Sequence, residues 1–577
     1  MTKIEDSVLK KAQSWLDGAY DEEIKATIRK MMENDPQELT ESFYKDLEFG
    51  TGGLRGIMGV GSNRMNKYTV GAATQGFANY LKMNFPDVAQ IKVAIAHDSR
   101  NNSRYFAEVT AAVFSANGIK VYLFDDLRPT PELSFAIRHF HCQGGIVITA
   151  SHNPKEYNGY KAYWNDGGQL ISPHDKNVIK EVQKITDIAD VRFDRNADLI
   201  EIIGEEVDRI YMEQIKALSL SPEVIKRQKN LKIVYTPIHG TGAKLVPEAL
   251  KSFGFENVHV VKEQAVADGN FPTVISPNPE EPAALEMALK LADKIKADLV
   301  MATDPDGDRV GLAVRKEGKM VLLNGNQAAT LLIYYLLEKW HENGKLTGKE
   351  YIVKTIVTTE LLFDIADKYE VEHFDVLTGF KYIADIIKEM EGKKQFVGGG
   401  EESYGYLVGD FVRDKDAVIS CTMLAEVAAW ANDKGVGMFD LLKQIYQEFG
   451  FYKEKLISIV RKGKAGAEEI QKMMDDFREK TPEQFNGSKV VLVKDYLTGK
   501  EKGLLTGEEK EILLPRSNVL QFFTEDGSKI SVRPSGTEPK IKFYFGVRSE
   551  LNNIDDFERV SEVLDAKIDG IIKGLGV

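Results

Sequence analysis

The sequence predicts an α/β protein: three consecutive mixed, mostly parallel α/β domains around a central cleft, followed by a smaller C-terminal α+β domain. Three observations lead there. The 577 residues are too many for one hydrophobic core, so about three to five domains are expected. Short Val/Ile-rich runs alternate with helical stretches in three successive units, as in parallel sheets covered on both faces. Each unit ends on a strand that delivers a distinctive polar loop, and strand ends are where open α/β sheets place their ligands. The expected domains are 1–212, 213–325, 326–450 and 451–577.

Composition narrows the function classes. Apolar residues make up 43% and charged residues 28%, ordinary for a globular chain and not for a disordered one. A net charge of −13 argues against a nucleic-acid or anionic-membrane surface. An anionic substrate would then need local basic clusters and a metal. Cys142 and Cys421 cannot staple a chain this long and form no C-x-x-C pair, so a reducing compartment is expected. The N-terminus leads into a charged helix without an apolar signal core, and no run of about eighteen apolar residues could span a bilayer. A cytoplasmic location is expected; monomer and dimer both stay open.

In chain order, residues from about Glu5 to Glu33 are predicted helical, packed on the outside of the first domain. Phe49-Gly50-Thr51-Gly52-Gly53-Leu54-Arg55-Gly56 is glycine-rich enough for close approach to a ligand. It misses the dinucleotide fingerprint, and reads either as a surface loop or as a loop placing Arg55 on a phosphate. Strands are expected at Lys92–Ala96, followed by the polar turn His97-Asp98-Ser99-Arg100, and at Lys120–Phe124. The apolar run Gly144–Ile148 leads to Thr149-Ala150-Ser151-His152-Asn153-Pro154. Here Pro ends the strand, and Ser151 sits at its C-terminal end. The plain alternative is a turn with a helix cap.

The second unit opens with Leu231–Tyr235 and ends with Asp298–Met301 and Thr303-Asp304-Pro305-Asp306-Gly307-Asp308-Arg309. In an extended loop, period-two spacing would send all three carboxylates to one side, where they repel unless a cation sits among them. Hard oxygen ligands select Mg²⁺ or Ca²⁺. An EF-hand fails, because its sixth and twelfth positions would be Arg309 and Arg315. A solvated acidic turn is the remaining alternative. Arg309 could reach ligand or substrate, or simply bridge to a neighbouring loop.

The third unit passes Thr378-Gly379-Phe380-Lys381 and ends with Phe396-Val397 and Gly398-Gly399-Gly400-Glu401-Glu402-Ser403-Tyr404-Gly405. Glu401 and Ser403 suit sugar hydroxyls, or a helix N-cap with an acidic first turn. The remainder is strand-rich, with a hairpin expected at Glu525-Asp526-Gly527. Arg533-Pro534-Ser535-Gly536-Thr537-Glu538-Pro539 lies between two strands. It offers a guanidinium fork, hydroxyls and a glycine-opened backbone to a phosphate, though an inert turn has a similar composition.

TASHNP, TDPDGDR, GGEESYG and RPSGTEP, in that order, resemble the four signature loops of the α-D-phosphohexomutases. The phosphoglucomutase branch is the nearest, in the part that also holds phosphopentomutases, and the resemblance covers nearly the whole chain. It implies three α/β domains and a C-terminal lid around a cleft, an active-site phosphoserine at Ser151, and Mg²⁺ on Asp304, Asp306 and Asp308 with an oxygen carried by Ser151. It implies sugar recognition by Glu401 and Ser403 and distal phosphate binding by Arg533, Ser535, Gly536 and Thr537, with Arg309 and Lys381 also facing substrate. Lys161 and Lys415 match family lysines and are the candidate acid and base, each on a lowered pKa, unless they are ordinary exposed lysines. His152 would steady the phosphate or the loop, and Arg55 would clamp the transferring group. The implied reaction interconverts glucose 1-phosphate and glucose 6-phosphate through glucose 1,6-bisphosphate, which also serves as activator. Pentose or mannose phosphates are the alternative substrates. The mannose reading is weakened because Tyr404 and Gly405 stand where the bifunctional branch has a His. A Mg²⁺-dependent sugar phosphatase and a non-catalytic phosphosugar-binding protein are the competing classes.

Overall fold

The computed structural model describes residues 4–50, 53–461, 463–535 and 540–576. They form two compact units, one drawn from the described residues of 4–324, 380–398 and 403–434, the other from those of 325–379, 399–402 and 435–576.

The first unit begins with three helices, Asp6–Asp17, Glu22–Asn34 and Pro36–Phe43, where the sequence reading expected one helical stretch. Extended backbone at Gly18 breaks the run and lets Tyr20 stack on Trp15 at 4.2 Å. Val8, Trp15, Ile28, Leu39 and Phe43 close a small core of their own with Tyr68.

Six strands follow in the spatial order Gly53–Ile57, Tyr157–Trp164, Gly144–Ile148, Lys92–His97, Lys120–Phe124 and Ile200–Ile203. The last four run parallel, and the first two join antiparallel. Gly144–Ile148 is buried along its whole length because helices Ser103–Ala116 and Thr130–His139 pack on this sheet. A Cβ on Gly145 would lie 2.5 Å from the Ile137 side chain, so glycine there sets how closely the second of those helices can approach.

The next sheet repeats the plan in the order Lys319–Leu323, Val310–Lys316, Leu299–Thr303, Ile233–Thr236 and Val258–Val260. Its strand Leu299–Thr303 is parallel to Ile233–Thr236 and antiparallel to Val310–Lys316. In both sheets the strand entering the polar loop is parallel to its inner neighbour, and the strand leaving the loop turns straight back beside it. No helix begins at Ser151 or at Asp304, which removes the helix-cap alternative for TASHNP. Helix Ala417–Asp433 packs on helix Gly242–Phe253. The Asp416 side chain caps it by accepting from Ile419 N at 2.8 Å.

The second unit contains helix Gly325–Glu342 and the parallel strands Glu350–Thr355 and Glu372–Val376. Strand Gln395–Glu401 brings its last residues into it. The three glycines expected to open a loop are therefore strand residues: a Cβ on Gly399 would meet Val353 O at 2.1 Å. A strand, Gly405–Val408, and no helix follows Ser403, so the helix-cap alternative fails here too. The C-terminal part is an all-antiparallel sheet from Phe451–Val460 through Lys540–Ser549, Lys529–Pro534, Leu520–Thr524 and Ser488–Asp495 to two short outer strands. The expected hairpin is there, with Phe523 opposite Lys529. Among the described residues no helix is long and apolar enough to cross a membrane.

Candidate active site

Ser151 stands in the first loop at φ +52°, in the left-handed region that a non-glycine residue occupies only when its surroundings hold it there. Those surroundings are identifiable. Ser151 N donates to Thr149 Oγ1 at 2.8 Å, and Thr149 Oγ1 donates to Asp98 Oδ2 at 2.6 Å. Asp98 also pairs with Arg100 at 3.3 Å, both side chains wholly buried. The Arg100 guanidinium in turn donates to the carbonyls of Ser151, Asn153, Pro154 and Tyr157. One buried ion pair thus fastens both ends of the serine loop.

Ser151 Oγ donates to Asp304 Oδ2 at 2.8 Å and lies 3.1 Å from His152 Nδ1. Asp304, Asp306 and Asp308 converge so that one oxygen from each lies within 4.8 Å of the others. Convergence comes from a turn and not from the extended backbone expected. Gly307 takes φ +66°, and Asp304 Oδ1 accepts from the N–H groups of both Asp308 and Arg309 at 3.0 Å. Neighbouring elements fix the turn. Thr130 N donates to Asp306 O at 2.8 Å, Thr241 N to Pro305 O at 2.9 Å and Ala417 N to Gly307 O at 3.1 Å.

Burial and the adjacent Asp306 and Asp308 push the Asp304 carboxyl well above the usual range. Burial also pushes Asp306 up, but Lys161 together with the hydrogen bonds from Asp304 and Thr130 holds that carboxyl below its ordinary value. Lys161 lies on the returning strand opposite Val147, with Nζ 2.6 Å from Asp306 Oδ2 and 3.2 Å from Asp308 Oδ2. Lys415 Nζ is 3.3 Å from Asp308 and 3.1 Å from Asp414, which Tyr163 and Gln169 hold from the other side. The lowered lysine pKa expected from sequence is corrected at Lys161. Burial pulls its ammonium down, but Asp306 and Asp308 more than compensate and raise it. His152 goes the other way, held well below its ordinary value by burial beside Arg309 and Arg55, so its imidazole is neutral near pH 7.

The donor set fits a hard divalent cation. Oδ1 of Asp306 and Oδ1 of Asp308 are buried without a hydrogen-bond partner, a costly state for a carboxylate oxygen unless something positive meets it. Such a cation would be held by Asp304, Asp306, Asp308 and an oxygen on Ser151. The solvated-turn alternative fails, since all three aspartates are buried. Arg55, on strand Gly53–Ile57, donates to Asn153 Oδ1 at 3.2 Å and so lies at the serine loop. Arg309 donates to Glu280.

Four family profiles match the chain in order: "Phosphoglucomutase/phosphomannomutase, alpha/beta/alpha domain I" at 46–189, domain II at 209–318, domain III at 324–449 and the C-terminal domain at 460–559. A phosphoglucomutase of Staphylococcus haemolyticus is 38% identical over 527 residues, 90% of this chain and 93% of that protein. One of Staphylococcus aureus is 36% identical over 561 residues, 96% and 98% of the two chains. The chain belongs to the phosphoglucomutase/phosphomannomutase family. Its members are phosphohexomutases, and this one is an enzyme of that class. A structure from Burkholderia thailandensis, described as a phosphoglucomutase/phosphomannomutase family protein, shares the fold with a TM-score of 0.63 at 20% identity, over 91% of this chain and 98% of that one. The open form of parafusin from Paramecium does so at 0.65 and 17%, over 92% and 96%.

Within this phosphohexomutase the remaining expected residues are placed as follows. Lys381, second in helix Phe380–Met390, lies in a separate small cavity with Trp164, Gln169, His174 and Lys388. Burial lowers its pKa there. Ser403 is in the turn before Gly405. In the second unit, Glu401 Oε1 accepts from Gly379 N at 2.9 Å, and Arg533 sits on the sheet opposite Lys542. Ser535 N donates to Lys540 O at 2.7 Å. Gly536 and Thr537 lie outside the described residues. Sequence reading gave no role to Asp98, Arg100, Thr149, Thr130 or Asp414. The available signal was the polar turn His97–Arg100, which ends a strand parallel to the one that carries Ser151.

Proposed function

We propose that this phosphohexomutase acts as a phosphoglucomutase, exchanging one phosphoryl group between Ser151 and glucose phosphates. The observation that carries the reading is Ser151 Oγ, held 2.8 Å from Asp304 at the edge of the three-aspartate cluster. In the first half-reaction the Ser151 Oγ–P bond breaks as a bond forms from phosphorus to a sugar hydroxyl oxygen, giving glucose 1,6-bisphosphate. The hydroxyl proton passes to a base, and the freed Ser151 Oγ takes a proton from an acid. In the second half-reaction the other phosphate moves to Ser151 Oγ, which gives its proton to a base, and the freed sugar oxygen takes a proton from an acid. Mg²⁺, when bound by the three aspartates, withdraws charge from the phosphoryl oxygens. Lys161, charged between Asp306 and Asp308, suits proton donation and charge neutralisation. Lys415, held by Asp308 and Asp414, is the second lysine placed to exchange these protons. The neutral His152 imidazole, 3.1 Å from Ser151 Oγ, steadies the phosphate or the loop, and Arg55 clamps the transferring phosphoryl group. Glu401 and Ser403 take sugar hydroxyls. Arg533, Ser535, Gly536 and Thr537 take the distal phosphate, and Arg309 and Lys381 face substrate. The buried thiols Cys142 and Cys421 suit a reducing cytoplasm.

The test supplies glucose 1-phosphate, trace glucose 1,6-bisphosphate and Mg²⁺. Glucose 6-phosphate is the expected product. Release of inorganic phosphate instead would make the protein a phosphatase, and faster turnover of mannose or ribose 1-phosphate would reassign the sugar.

A further inference from the structure

We infer that Lys529, a residue of the C-terminal sheet that none of the signature loops includes, is a positioning residue for the sugar-recognition loop. The inference rests on the proposed role of Glu401 in holding sugar. Lys529 is 7% exposed, and a lysine that far from water needs partners for its ammonium. It finds them on one short segment: Nζ donates to Ile356 O and Thr358 O, each at 3.0 Å, and to Glu360. Gln521, on the neighbouring strand and 2% exposed, adds a bond from Nε2 to Ile356 O at 2.7 Å. Tyr496 OH and Ser531 Oγ hold Gln521 itself at 2.8 Å.

The other side of that segment grips the residue next to Glu401. Thr355 Oγ1 and Thr358 Oγ1 donate to Glu402 Oε2 at 3.2 and 3.1 Å, and Glu402 N donates to Thr358 Oγ1 at 3.2 Å. Carbonyls pulled one way and hydroxyls bonded the other way fix the backbone of residues 356–360, and through it the backbone at Glu401–Glu402. Other contacts keep Glu360 from depending on Lys529 alone, since Lys354 Nζ reaches it at 3.2 Å and Asp375 at 2.6 Å. Lys529 therefore matters for the two carbonyls, and through them for sugar binding rather than for phosphoryl transfer.

The test measures kcat and KM for glucose 1-phosphate in Lys529→Met and, because that variant can fail to fold, in Gln521→Met. Each is also combined with Thr358→Val. Glucose 6-phosphate binding to the same variants is followed by calorimetry in a Ser151→Ala background. We expect KM and the calorimetric Kd to rise about fivefold, with kcat within about twofold of the unsubstituted enzyme. Addition of Thr358→Val should raise KM no further, because both changes release the same segment. Unchanged KM and Kd in a folded variant would overturn the inference, as would additive effects with Thr358→Val. If the unsubstituted enzyme turned over no glucose 1-phosphate, the proposed function would fall, and the calorimetric arm would still decide the role of Lys529.

Discussion

At the residue scale, the chemistry depends on a serine whose backbone conformation is maintained by Arg100 and Asp98. Removing the guanidinium takes the countercharge from the buried Asp98 carboxylate, which keeps its bonds from Thr149, Ser103 and the Arg100 N–H. It also takes one donor from each of four carbonyls. Arg100→Met should cost about 3 kcal/mol of stability, the range for breaking a buried pair, and lower kcat about a hundredfold through misplacement of Ser151. Urea unfolding and steady-state kinetics check the two numbers. A stable variant with full activity would mean the loop keeps its shape unaided. That Ser151 and the three aspartates come together was legible in the sequence because all four stand in polar loops at the ends of strands. Arg100 was not. Its role comes from a parallel strand pairing that brings residues some fifty positions apart into contact, and local spacing carries no trace of that. The direction of the Lys161 shift was misjudged for a related reason. The sequence pointed to a metal and basic neighbours, whereas register places the ammonium between two carboxylates.

At the element scale, the connection between strand and loop decides how the site is built. Period-two reasoning located the right carboxylates through the wrong geometry, since the turn at Gly307 does the converging. The three glycines before Glu401 looked like a loop, but packing against Val353 requires them within a strand. The cap of helix Ala417–Asp433 gives a prediction in pH. Burial raises the Asp416 carboxyl from 3.8 to about 7, against the opposing bond from Tyr211. Its folded pKa lies above its unfolded one, so the folded state binds the proton more tightly. Its stabilising contribution is complete below pH 3.8 and is lost as pH rises to about 7. Asp416→Asn keeps a cap and cannot ionise. Melting temperatures of the two proteins should therefore diverge in the variant's favour between those pH values, and parallel curves would contradict the assignment.

At the scale of the whole molecule, the alternation of strands and helices made the three α/β domains legible from the sequence, and strand-like runs around turns, with helices at either end, did the same for the smaller C-terminal α+β domain. The boundaries of the compact units were less so, because helix Ala417–Asp433 packs on helix Gly242–Phe253, far from it in the chain. A cation bound only by the folded three-aspartate cluster must stabilise the fold by mass action, by about 2.7 kcal/mol at about a hundred times its Kd. Mg²⁺ should therefore raise the melting temperature of the chelator-treated enzyme and restore its activity. In Asp306→Ala both responses should disappear. An equal thermal shift in that variant would move the metal elsewhere.

The most direct measurement is peptide mass spectrometry of the enzyme after incubation with glucose 1,6-bisphosphate and Mg²⁺. The account predicts one phosphoryl group on the peptide that contains Ser151, removed when glucose 6-phosphate is added in excess. A phosphoryl group on another residue, or none on an enzyme that still interconverts the two glucose phosphates, would contradict it.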